Sequence, residues 1–252
     1  MTALKLIQAT DLHLGPTADY QCRQFNTLDS FTAVLEALEL NSNEKEILVL
    51  TGDLASDSQP EAYQQLNHIL LKKKKQVFWL PGNHDDMSLM HKYLQDYPYQ
   101  LAYQHEYWAI LMIDSSVVGR AGGEVSSQQL QQLEVQLEQL KDKHLLVAMH
   151  HTPVSVNSKW LDEHRISNHR RLHAVLAKNG NVKAVITGHI HQQYEVDWGG
   201  IKVFSTPSTC FQFQENSHQF ALSTKKPAYR WLELYPDGHI ETGIHRVDFP
   251  KQ

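Results

Sequence analysis

Five short motifs in this chain are rich in oxygen and nitrogen donors: Asp11-Leu12-His13, Gly52-Asp53, Gly82-Asn83-His84-Asp85, His150-His151 and Gly188-His189-Ile190-His191. Carboxylate and amide oxygens and neutral imidazole nitrogens are what zinc, manganese and iron accept. Asp11, His13, Asp53, Asn83, His150, His189 and His191 together suffice for two ions with four protein ligands each, provided that Asp53 is shared. Asp11 and His13 are two apart where an apolar run ends, so their side chains can leave one face, and His189 and His191 repeat that spacing. Gly52 permits a sharp turn that turns one oxygen of Asp53 toward each cation. Asn83 ligates without adding charge, while His84 and Asp85 point elsewhere, Asp85 as a cap of the next helix or as a group that orients His84. Of the adjacent pair, His150 comes first after its apolar run and is the expected ligand, with His151 facing away in a supporting or structural role. The chain has 16 histidines, and those outside the motifs are read as structural or solvated.

The motifs need a scaffold that gathers them. Each follows closely on a short apolar run, at 4–9, 47–50, 77–80, 145–149 and 182–186, and each run reads as a largely buried strand. Helical periodicity appears at 25–40, at 60–71 behind Pro60, and at 126–140, where leucines recur and Ser126 or Ser127 caps. Further strands are predicted at 108–113 and 201–204, with Asp114 as a turn residue, and a terminal hairpin at 230–235 and 240–247 turns on Pro236-Asp237-Gly238. Alternating strands and helices imply an α/β fold with a parallel or mixed sheet and helices on its faces. In such sheets ligands bind beyond the carboxyl ends of the strands, where these motifs fall. The hairpin also offers an edge that a second subunit could pair with, and leaves the oligomeric state open.

With 252 residues and no Gly/Ser/Pro-rich linker, a single domain over 1–252 is expected. The formal charge of −5 lacks the basic excess of a protein that tracks nucleic acid, which speaks against a polynucleotide substrate. The lysine run at 72–75 falls at a helix C-terminus and reads as a solvated, dipole-stabilised end. No apolar stretch approaches the roughly 20 residues that span a bilayer, so no membrane partner is expected. The first residues lack signal-peptide features, and Cys22 and Cys210 are too few for a disulfide framework. A reducing cytoplasm is the expected setting.

In this order, D-x-H, G-D, G-N-H-D, H-H and G-H-x-H resemble the motifs of the calcineurin-like metallophosphoesterases. The likeness runs from about Leu6 to His191. The segments 158–162, 188–192 and 206–213 are further similar to the bacterial class III cyclic-AMP phosphodiesterases, a likeness that extends through the terminal hairpin. The resemblance implies a metallophosphoesterase sandwich of mixed sheets with flanking helices and a C-terminal β-hairpin. It implies two divalent or mixed-valence metal ions, iron or manganese before zinc, with Asp11, His13, Asp53 and His191 on the first and Asp53, Asn83, His150 and His189 on the second. His84 is then the catalytic, non-ligating histidine at the scissile phosphate, and His13, Asp53, Asn83, His84 and His191 contact the substrate. The implied substrate is 3′,5′-cyclic AMP, hydrolysed to 5′-AMP. The alternatives are a broader phosphodiesterase for glycerophosphodiesters, other cyclic nucleotides or a lipid-linked pyrophosphate, and a non-catalytic scaffold, which the intact ligand set opposes. Segments 160–168 and 205–213 bear on substrate choice, with 206–213 expected to wall the nucleotide pocket and Cys210 and Phe211 to touch it. Against this stands a reading of 205–213 as a strand end packed on the core. Thr152 stands where a third consecutive histidine belongs, a change expected at the pocket rim.

Overall fold

Strands that bury every residue need cover on both faces, and the chain supplies it by stacking two sheets and flanking them with helices. The computed structural model describes residues 2–41, 46–73 and 75–249. Its elements run β1 (Leu4–Ala9), β2 (Gln21–Cys22), β3 (Phe25–Asn26), α1 (Thr27–Asn41), β4 (Ile47–Thr51), α2 (Pro60–Leu71), β5 (Val77–Leu80), α3 (Met87–Tyr93), β6 (Ala102–Gln104) and β7 (Trp108–Ile113). They continue α4 (Ser127–Gln139), β8 (His144–Met149), α5 (Lys159–Asp162), α6 (His169–Leu176), β9 (Val182–Thr187), β10 (Tyr194–Trp198), β11 (Ile201–Ser205), β12 (Gln212–Phe213), β13 (Leu222–Ser223), β14 (Ala228–Leu234) and β15 (Ile240–Arg246).

One sheet has the order β15-β14-β1-β4-β5 and the other β10-β11-β9-β8-β7-β6. Strands β1, β4 and the edge strand β5 are mutually parallel, as are β7, β8, β9 and β11, while antiparallel neighbours complete the sheets. Alternation along each strand sends one set of side chains between the sheets: Leu6, Val49 and Phe78 meet Ile110, Leu146 and Ile186 there. The alternate set faces helices. Ile7, Leu50 and Trp79 pack with Phe31, Leu66 and Met90 of α1–α3, and Leu111, Val147 and Val185 pack with Leu133, Leu137 and Leu172 of α4 and α6.

Local chemistry explains the helix ends. Pro60 opens α2 at its first turn. Ser126 and Gln129 form a reciprocal capping box on α4. The helix expected from residue 25 starts two residues later, because Phe25 and Asn26 pair as a strand and the Asn26 side chain accepts the Asp29 N–H at 2.9 Å. The lysine run departs from the solvated end expected of it: Lys73 pairs with Glu39 at 2.8 Å, and Lys75 lies 3.8 Å from Glu46 with both side chains nearly covered, while Lys74 lies outside the described residues. Asp114 is the turn residue predicted, accepting from the Ser116 backbone and hydroxyl. No helix among the described residues is long and apolar enough to cross a membrane.

Candidate metal centre

The chain leaves β1, β4, β5, β8 and β9 at one edge of the sandwich, and there the five motifs meet. Pairing continues past the strand ends: Asp11 N–H donates to Gly52 O at 3.0 Å, His13 N–H to Asp53 O at 2.9 Å, and Gly188 N–H to His150 O at 3.0 Å. Asp11, His13, Asp53, His189 and His191 all adopt left-handed φ, between 48° and 67°. This conformation is uncommon outside glycine and costs energy, and alternating it with buried Leu12 and Ile190 turns each pair of donors to one side. Gly52, at φ 92°, has no room for a Cβ, which would lie 2.6 Å from His150 Nδ1 and 2.7 Å from Gly82 N.

Two groups of donor atoms result. In the first, His191 Nε2 lies 3.3 Å from Asp11 Oδ1 and 3.2 Å from His13 Nε2, which is 3.9 Å from Asp53 Oδ2. In the second, His150 Nε2 lies 3.4 Å from the same Asp53 Oδ2 and 3.2 Å from Asn83 Oδ1, which His189 Nδ1 approaches to 3.1 Å. Donors about 2.1 Å from a common cation would be separated by about these distances. Asp53 Oδ1 accepts the His84 N–H at 2.9 Å. Oδ2 alone therefore faces both groups, rather than one oxygen facing each as the sequence suggested.

The surroundings prepare these atoms to bind a cation. His150 Nδ1 and His191 Nδ1 each lie 2.8 Å from a backbone carbonyl, of Thr51 and Phe211 respectively. Donating there directs each Nε2 at its group, with a lone pair to offer once that nitrogen has lost its proton. Burial, with neighbouring imidazoles, pushes His13 down to about 3 and His189 well below its ordinary range, so both are held in the neutral, ligating form. Burial would raise the Asp11 and Asp53 carboxyls, but His191 for the first and His150 for the second outweigh it and keep them low. His150 is moved the other way: burial pulls it down, yet Asp53 raises it to about 9. His13 Nδ1 and His189 Nε2 are buried without a hydrogen-bond partner among the described residues. The donor set is oxygen and nitrogen, and it fits a pair of borderline metal ions.

His84 lies beside the first group, its ring edge-on to His13 at 5.1 Å. Its Nδ1 is tied to Ser56 O at 2.7 Å, which leaves Nε2 as the available ring nitrogen. Asp85 accepts from Leu54 N, Ala55 N, Gly82 N and Tyr63 OH, so it staples the two loops that place Asp53 and His84. The cap of α3 is Asp86, not Asp85. Burial and the nearby Asp53 charge raise the Asp85 carboxyl to about 6. His151 sits within reach of His150 and His189, but its Nδ1 is 2.9 Å from Ser115 Oγ and its Nε2 3.1 Å from Ala121 O. Both nitrogens are thereby occupied, which makes it a structural histidine.

A pocket of about 490 Å³ opens over these residues, lined by His13, Asp53, Asn83, His84, His189 and His191 among others. From 206–213 only Phe211 and Phe213 line it, and from 160–168 Trp160, Leu161 and His164. Cys210 is fully buried, its Sγ against Ser208 Oγ and Asp11 O, so its expected contact with the pocket is not observed. Burial pushes its thiol up, and a protonated thiol is no ligand. Thr152 is also fully buried and away from the rim. Arg23, on the β2–β3 turn, lines the pocket unforeseen. The Arg23-Gln24 pair carries no turn signature, although both residues have positive φ.

Residues 4–193 match the family model described as calcineurin-like phosphoesterase. The chain is 39% identical, over 97% of its length and 90% of the relative's, to the 3′,5′-cyclic adenosine monophosphate phosphodiesterase CpdA of Escherichia coli (strain K12). It is 36% identical, over 98% of its length and 93% of the relative's, to a 3′,5′-cyclic-nucleotide phosphodiesterase of Nostoc sp.. Its fold matches that of a dimetal phosphatase from Danio rerio with a TM-score of 0.64 at 17% identity, covering 98% of this chain and all of that one. With the motif order, the sandwich and two donor groups sharing one carboxylate oxygen already established, the chain belongs to the calcineurin-like phosphoesterases, a family that works with a dinuclear metal site.

Proposed function

We propose that this protein hydrolyses 3′,5′-cyclic AMP to 5′-AMP, with Asp11, His13, Asp53 and His191 holding one metal ion and Asp53, Asn83, His150 and His189 the other. The observation that carries the reading is the pair of donor groups sharing Asp53 Oδ2 beneath a pocket that also contains His84. The near-full-length similarity to CpdA supports cyclic AMP as substrate. When bound, two such cations neutralise phosphodiester charge and lower the pKa of water.

The chain's own residues supply the rest. Asn83 and His84 line the pocket beside the donor groups, where they would contact the phosphate oxygens; with Nδ1–H held by the Ser56 carbonyl, His84 carrying a second proton on Nε2 would pass it to the 3′ oxygen as water bonds to phosphorus and the P–O3′ bond breaks. Oxygen and nitrogen donors without thiolate suit iron, manganese or zinc alike, and the preference for iron or manganese rests on the resemblance. The core shared by the two sheets supports reading 1–252 as one domain. The free thiols of Cys22 and Cys210 accord with the reducing cytoplasm expected from the sequence. Metal-loaded protein should form 5′-AMP from cyclic AMP faster than it turns over cyclic GMP or a generic aryl phosphodiester. Turnover of the aryl ester with none of cyclic AMP would overturn the substrate and leave the two-metal hydrolase.

A further inference from the structure

An aromatic wall leads away from the donor groups. The His191 ring stacks on Phe213 with centroids 4.2 Å apart, Phe213 meets Trp160 at 4.9 Å and Phe220 at 5.6 Å, and Trp160 meets Phe220 at 5.5 Å. The Arg23 guanidinium lies 4.7 Å over the Phe220 ring. All of these residues line the pocket. Trp160 and Phe213 are anchored on a buried cluster of Val156, Leu161 and Ile190, whereas Phe220 stays 46% exposed. The Trp160 indole N–H has no hydrogen-bond partner among the described residues.

A ring serving packing alone would join that buried cluster, and Phe220 does not. Its exposed area, contiguous with two anchored rings and covered on one side by a planar cation, is the surface that a flat heteroaromatic ring would bury. A phosphodiester held at the donor groups would have its substituent within reach of that wall.

We propose that Trp160, Phe213 and Phe220, with Arg23 holding Phe220 in place, form a nucleobase subsite that favours purines over pyrimidines. The proposal rests on the phosphodiesterase reading and gives its substrate a second point of attachment. Stacking grows with ring area, hence the purine preference. Arg23 acts through Phe220 and is a positioning residue.

The test separates base binding from hydrolysis. Adenosine carries the base without a phosphate, so its binding, measured by calorimetry and by tryptophan quenching on metal-loaded protein, needs no turnover. Phe220→Ala should weaken adenosine about tenfold, at the lower end of what stacking one base on an aromatic ring contributes. Cytidine should bind the unmodified protein more weakly than adenosine. Arg23→Ala should also weaken adenosine, and Arg23→Lys should not restore it, because the planar face is lost. Val135→Ala, exposed on α4 and outside the lining, is the control and should match the unmodified protein. The kcat/KM ratio of cyclic AMP to ribose 3′,5′-cyclic phosphate should fall about tenfold in Phe220→Ala. Equal adenosine affinity in the unmodified and Phe220→Ala proteins, or no adenosine binding at all, would overturn the subsite even if 5′-AMP still forms. Adenosine binding without 5′-AMP formation would instead overturn the reaction and keep the subsite.

Discussion

Changing Asp53 to asparagine alters one atom and one charge at the point where the two donor groups meet. The amide oxygen can still accept the His84 N–H that Asp53 Oδ1 accepts at 2.9 Å, so the loop keeps its anchor. The amide nitrogen replaces the oxygen that lies 3.4 Å from His150 Nε2 and 3.9 Å from His13 Nε2, and it has no lone pair to offer. Two unit charges about 4 Å apart interact by about 4 kcal/mol at an effective dielectric of about 20, which corresponds to about 10³-fold in affinity. Because the oxygen serves both groups, each ion should weaken by at least that factor. Titration with Mn²⁺, followed by metal analysis of desalted protein, measures it directly. Two tightly held ions, each within about tenfold of the unmodified affinity, would refute the shared-oxygen argument. Loss of only one would assign Asp53 to a single group.

His84→Ala should retain both ions while turnover falls by roughly 10²- to 10⁴-fold, the range for a positioned acid; loss of an ion would make His84 a ligand. Because Asp53 holds His150 protonated up to about 9, a cation must displace that proton. Metal affinity should then climb with pH, by about tenfold per unit for the one proton, and level off above about 9. Affinity independent of pH between about 6 and 8, in competition with a chelator of known pH dependence, would contradict this. Gly82→Ala puts a Cβ onto Asp53 Oδ1 and N, so it should cost about 1–3 kcal/mol of stability in chemical unfolding and weaken metal binding, and full retention of both would show that the loops yield more easily than their packing implies.

The motifs were legible because side chains with oxygen and nitrogen donors directly follow short apolar runs, and runs such as Leu4–Ala9, Val77–Leu80 and Trp108–Ile113 were bounded to the residue. Their division between two sheets was not legible from periodicity. Strands covered on both faces are apolar throughout, so Leu6 and Ile7 look alike although one faces the other sheet and the other faces helices. The left-handed backbone at Asp11, His13 and Asp53 was hidden for a related reason. Such conformations are recognised through glycine, and here aspartate and histidine adopt them. The pocket rim was the least readable part: Arg23 and Phe220 sit on short hairpins with little hydrophobic pattern, and neither residue type is unusual on a surface. Cys210 illustrates the opposite error, a reactive residue type spent on packing.

The position of β14 governs when the centre can exist during synthesis. β1, which leads to Asp11 and His13, is flanked by β4 on one side and by β14 on the other, so one edge of it stays open until residues 228–234 have been made. Donors at 11, 13, 53 and 83 leave the ribosome long before 189 and 191, and the long-range contacts that gather them form late. A chain ended before β14 would hold all seven donor residues yet leave one edge of β1 unpaired, so it should gather them poorly, bind metal more weakly, and expose that edge to aggregation or proteolysis.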